Sequence, residues 1–145
     1  MQLSTDTTRL LAELDQLSGG RLKRREDLGI LLELGAHADH RSALGDLGFS
    51  AKFLARAYGM MQRLGPGGKG YDRLSAEFSS HLEKVSMLLR SILRDAPDDV
   101  RSYFSARYLS LTPEGLGGLL DLCRDLGWYK NRLIDAGRGP RGAAP

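Results

Sequence analysis

Cysteine is almost absent from this 145-residue chain, and long apolar runs are missing altogether. A lone Cys123 cannot form a disulfide within the chain, so the fold must depend on a hydrophobic core. No apolar stretch approaches the roughly 20 residues that a membrane-spanning helix needs. The first residues, MQLSTDTTRLLAELDQL, lack the basic segment and the uninterrupted apolar stretch of a secretory signal. We therefore expect a cytoplasmic protein.

Long runs of like charge are missing too, although the net charge is +3 at pH 7. Residues 21–25, RLKRR, carry four positive charges, and Arg138 and Arg141 add two more near the end of the chain. Residues 26–135 sum to −1 and are close to neutral. A nucleic-acid partner, if there is one, is therefore expected at these two segments rather than over the whole surface.

Helical periodicity is the pattern that the sequence does contain. Over Tyr71–Arg94, apolar residues recur every seven positions at Tyr71, Phe78, Val85 and Ile92, and the opposite side is polar. This spacing predicts a helix with one face toward a core. We expect the other segments to pack around it.

Capping residues, glycines and prolines divide the rest of the chain into further helical segments. They are predicted at about 4–18, 22–34, 39–64, 97–111 and 112–134. The fold class is therefore all-α, a single-domain antiparallel helical bundle of five or six helices over residues 1–135. Residues 136–145 hold little apolar surface and are predicted to form a flexible basic C-terminal tail.

Three histidines form one candidate site. His37 and His40 lie three residues apart, on one side of a helical turn, and His81 lies within the apolar face of the helix at 71–94. Three imidazoles and a water are a ligand set that holds zinc. A hydrogen-bonded His81 in the core with two surface histidines explains the same pattern. A metal-binding bundle is therefore an alternative hypothesis.

The basic segment is a second candidate site. Arg21, Lys23, Arg24 and Arg25 follow the flexible pair at 19–20 and are suited to contact several phosphates, with the basic tail adding more. Pairing of these side chains with nearby acids on an exposed helix start is the alternative explanation. Binding of nucleic acid through this segment and the tail is thus a second alternative function.

An interaction patch is predicted near the end of the last helix. Trp128, Tyr129 and Arg132 are residue types that dominate the binding energy of protein interfaces. Trp128, Tyr129 and Arg132 lie within five residues of one helix, so they cannot all face one core. Closure of the end of the bundle by Trp128, with Arg132 in solvent, is the competing interpretation.

Catalytic signatures are weak throughout. Cys123 falls on the apolar face of the last helix, where a thiol is usually inert, and no serine lies in a Gly-x-Ser-x-Gly elbow. We therefore predict no catalytic residue and no cofactor. The leading hypothesis is a non-catalytic protein–protein interaction or assembly module, self-associating through its aromatic C-terminal helices.

Overall fold

The computed structural model describes the backbone of residues 2–36, 40–110 and 112–143, with side chains up to Ile134. Every regular element in these ranges is a helix, and the helices pack into one bundle, which confirms the predicted fold class. The six helices are α1 (Thr5–Leu17), α2 (Arg25–Gly35), α3 (Arg41–Leu64), α4 (Tyr71–Leu93), α5 (Asp98–Tyr108) and α6 (Pro113–Ala143). No helix among the described residues is long and apolar enough to cross a membrane.

Side-chain caps start the first and last helices where the sequence predicts them. The hydroxyl of Ser4 accepts a hydrogen bond from the backbone N–H of Thr7 at 3.2 Å. Thr112 Oγ1 accepts one from the N–H of Gly115 at 3.1 Å. Each hydroxyl satisfies an amide that the first turn of a helix leaves unpaired, so both helices begin at a residue that the sequence identifies.

Helix α2 begins three residues later than the predicted start at Leu22. The carboxylate of Asp125, on α6, accepts hydrogen bonds from the backbone N–H groups of Lys23, at 2.8 Å, and Arg24, at 2.6 Å. These bonds give the two amides partners outside a helix. The start of α2 is thus fixed by a contact about one hundred residues away in sequence.

Helix α6 continues to Ala143, beyond the predicted end near Ile134. The helical backbone includes three glycines and Pro140 over residues 135–143, a composition that favours an earlier end. A helix already formed adds one hydrogen bond for each further residue, which offsets part of this low propensity. The flexibility of residues 136–145 stays a prediction.

Helix α6, rather than α4, lies at the centre of the bundle. It packs against α1, α2, α3 and α5, whereas α4 packs chiefly against α3 and makes a smaller contact with α2. The expectation that the other helices surround α4 is therefore wrong. The long apolar stripe of α4 indicated a central position, but only its second half, from Val85 onward, contains buried residues.

Candidate assembly surface on the α3–α4 hairpin

The outer half of the α3–α4 hairpin extends beyond the core. Ala57 is the last buried residue of α3 and Val85 is the first of α4, and no residue between them is buried. Gly65 and Gly70, both with positive φ, reverse the chain between the helices, as the predicted turn requires. We call residues 58–84 the arm.

Apolar residues continue through the arm with the spacing that they have in the core. Tyr71 and Phe78 belong to the same seven-residue series as Val85 and Ile92, which are fully buried. The ring centroids of Tyr58 and Phe78 lie 5.8 Å apart, so α3 and α4 remain in contact within the arm. Their apolar side chains stay half-buried, which gives the arm more apolar surface than one copy of the chain covers.

One side of the hairpin contains a groove of ≈ 280 Å³. It is lined by Phe53, Arg56, Ala57, Met60, Leu74, Glu77 and His81. The ring of His81 stacks on Phe53 at 5.6 Å, and Phe53 in turn contacts Phe49 at 4.8 Å. Nearly half of the Phe49 side chain is exposed. We call the surface formed by these seven lining residues the groove. Most of its side chains are apolar or aromatic.

The groove has one charged side chain on each helix. Arg56 is exposed on α3, and none of the ion pairs among described residues includes it. Glu77 lies on α4 and pairs with Arg73, one turn earlier, at 3.6 Å across an exposed surface. Exposed pairs of this kind contribute little to stability, so both side chains are available to a partner.

The residues of the predicted interaction patch contact other parts of the same chain. Tyr129 is buried in the core, and the guanidinium of Arg21 lies over the ring of Trp128 at 5.0 Å. Arg132 Nε lies 2.9 Å from Glu13 Oε2 on α1. These contacts attach α1 and the α1–α2 connection to α6. A role for these residues in binding a partner stays a prediction.

The basic segment is also partly engaged within the chain. Arg25 Nε lies 2.7 Å from Asp15, and a terminal nitrogen of Arg24 lies 3.5 Å from Asp121. The Lys23 side chain is exposed, while its backbone binds Asp125. Pairing reduces the charge that this segment presents to a polyanion. Binding of nucleic acid stays a prediction.

The described histidines lie far apart. His40 Nε2 is 3.4 Å from Asp95, just beyond the end of α4, whereas His81 stacks on Phe53 within the groove. From His81 to the end of α4 is about 18 Å at 1.5 Å per residue. His37 lies outside the described residues, among which no group of three possible ligands could hold a metal. The zinc hypothesis therefore stays a prediction.

The structure reveals a buried acid, Asp27, in the first turn of α2. Asp27 on α2 accepts hydrogen bonds from the hydroxyls of Tyr108 and, at 3.0 Å, Tyr103, and Arg107 lies 3.6 Å away. Burial and the bond to Asp27 raise the pKa of Tyr108. Tyr108 on the apolar side of the α5 segment, with Tyr103 beside that side, was the available signal. This cluster joins α2 to α5 inside the bundle, and its polar side chains form hydrogen bonds or an ion pair with one another.

The single thiol is not activated. Cys123 is fully buried, and burial raises its pKa to about 12. A thiolate is the nucleophilic form, so this residue is unsuited to covalent catalysis near neutral pH.

Comparison of the chain with protein-family models, curated proteins and solved structures finds no match. Function must therefore be inferred from the surfaces described above.

Proposed function

We propose that this chain is a non-catalytic, cytoplasmic assembly module that self-associates. The observation that carries the proposal is the arm, in which apolar residues keep the spacing of a core although none is buried. Monomeric proteins rarely expose continuous apolar surface, and larger patches mark contact sites. The arm thus supports the protein–protein interaction that composition and periodicity favour.

The size of the effect is consistent with self-association. The arm holds seven half-buried large apolar side chains, at positions 58, 60, 61, 71, 74, 78 and 82. Each of these side chains is already more than half buried, so completing its burial contributes about 0.5–1 kcal/mol, at most a third of the value for full burial. The seven together contribute about 4–7 kcal/mol per copy and about 8–14 kcal/mol for two copies, which is comparable to the estimated cost of association, about 4–15 kcal/mol. A stable complex therefore needs a partner that contributes a similar apolar surface, which a second copy does.

Light scattering of the purified chain over a wide concentration range tests this proposal. We expect a mass of at least twice 15.9 kDa that falls toward 15.9 kDa on dilution. Because apolar burial drives the association, the complex should persist at high salt. A mass of 15.9 kDa at every concentration contradicts self-association.

A further inference from the structure

We propose that the groove pairs with the same groove of a second copy across a two-fold axis. The inference rests on the proposed function and specifies its contact surface. In the resulting dimer, α3 and α4 of each copy form one layer of a four-helix bundle. The occupant of the groove is thus the α3–α4 hairpin of the partner, and no segment of another protein is needed.

The arrangement of apolar residues suits such a bundle. In α4, Leu74, His81 and Leu88 form a series with a seven-residue spacing, in which the His81 ring lies between two apolar leucines, beside the series that faces the core. In α3, Phe53 and Met60 repeat with the same spacing on the groove side. Seven-residue spacing on two antiparallel helices is the pattern by which helices interdigitate in four-helix bundles. The hairpin supplies two of the four helices.

The charges in the groove select a second copy in one orientation. A two-fold axis that places α3 of one copy against α4 of the other brings each Arg56 opposite the partner's Glu77. Both ion pairs then form at once, because every contact in a two-fold interface occurs twice. If α3 lies against α3 instead, like charges oppose each other, which disfavours that orientation. The groove is therefore complementary to itself.

Charge-reversal variants, tested singly and in mixture, examine this pairing. Arg56→Glu makes both groove charges negative, and Glu77→Arg makes both positive. Each variant alone should dissociate with a dissociation constant raised at least ~10-fold, because two like-charge contacts replace two ion pairs. An equimolar mixture should form heterodimers of close to wild-type affinity, since each copy then meets the opposite charge. Sedimentation velocity or native mass spectrometry resolves these species.

Glu83→Arg is the matched control. This glutamate is exposed on α4, does not line the groove and lies about 120° round the helix from Glu77, so its reversal should leave the dissociation constant within about twofold of the wild-type value. Urea unfolding of all three variants checks that each is folded, because the reversed side chains are exposed and their loss should cost under about 1 kcal/mol.

The outcomes separate this inference from the proposed function. A wild-type dimer that survives both single reversals, or a mixture no tighter than the single variants, overturns pairing through the groove while self-association stands. A wild-type monomer overturns both. Dissociation of each single variant with recovery of the dimer in the mixture supports the two-fold arrangement. A structural defect within one variant chain would not be repaired by mixing it with the other variant.

Discussion

Replacement of Asp125 by alanine should destabilise the fold strongly, although the residue is far from the assembly surface. Only 1% of Asp125 is exposed, and its two oxygens accept the N–H groups of Lys23 and Arg24. These bonds hold the chain just before α2 against α6. Asp125→Ala removes the acceptor and leaves both donors without a partner from the protein.

The expected cost follows from the two donors. An unsatisfied buried N–H costs about 1–3 kcal/mol, but both bonds are only partly buried, so water satisfies part of what is lost and the pair accounts for about 1–4 kcal/mol. Removal of a buried charge returns part of this amount, and we expect a net loss of about 1–3 kcal/mol in the free energy of unfolding. Asp125→Asn keeps one acceptor oxygen without the charge and should cost less than Asp125→Ala.

The pH dependence provides a second, independent signature. Burial, partly opposed by the two backbone hydrogen bonds, raises the pKa of Asp125 above its ordinary value of 3.8. The folded state therefore binds this proton more tightly than the unfolded state does. Tighter proton binding by the folded state contributes to the free energy of unfolding. This contribution is fully present below pH 3.8 and is lost as pH rises through the higher pKa of the folded state. Asp125→Asn should thus gain stability relative to the wild type over that interval.

Urea unfolding of the wild type, both variants and the control Asp46→Ala measures these effects. Asp46 is exposed on α3, so its loss should change the free energy of unfolding by no more than about 0.5 kcal/mol. An Asp125→Ala variant as stable as the Asp46 control refutes the assignment of Asp125 as the anchor of the α2 start. A difference between Asp125→Asn and wild type that does not change with pH refutes the raised pKa.

Two further predictions concern the interior. Tyr108→Phe removes a hydroxyl that donates to Asp27 and should cost about 1–3 kcal/mol in urea unfolding. Because the pKa of Tyr108 is raised, the wild type should also lose stability relative to this variant as pH rises above 10.0. Gly35→Ala should destabilise by about 1–3 kcal/mol, since its Cβ would lie 2.3 Å from Leu44 Cδ2. A Cβ added at Gly45, inside α3, would have no atom within 4 Å. Gly45→Ala should therefore raise the free energy of unfolding by up to about 1 kcal/mol, and with it the thermal midpoint. Equal effects of the two glycine substitutions would contradict the packing of α2 on α3.

Those features of the fold that depend on neighbouring residues can be predicted from the sequence. The caps at Ser4 and Thr112 and the turn between α3 and α4 are local, and the structure confirms them. The start of α2 is not local, because Asp125 fixes it from a distant helix. No periodicity of residues 22–34 contains that information.

The position of the candidate site was harder to predict for the same reason. The apolar series of α4 shows which side of the helix avoids water, but not where along the helix the core ends. That boundary, near Val85, depends on which helices α4 packs against. Trp128 illustrates the opposite case, since its residue type indicates an interface while Arg21, more than one hundred residues earlier, covers its ring. The residue type of Trp128 indicates that it makes a contact, but not which residue it contacts.

Chemical cross-linking between copies tests the central claim most directly. Arg56→Cys and Glu77→Cys chains are mixed and treated with a short bismaleimide; native Cys123 stays unmodified because it is buried and its pKa is raised to about 12. Two-fold pairing of the groove predicts rapid formation of a covalent dimer in this mixture. A mixture of Glu77→Cys with Met87→Cys is the control, since Met87 is 60% exposed and does not line the groove. Cross-linking no faster than in this control would contradict assembly through the groove.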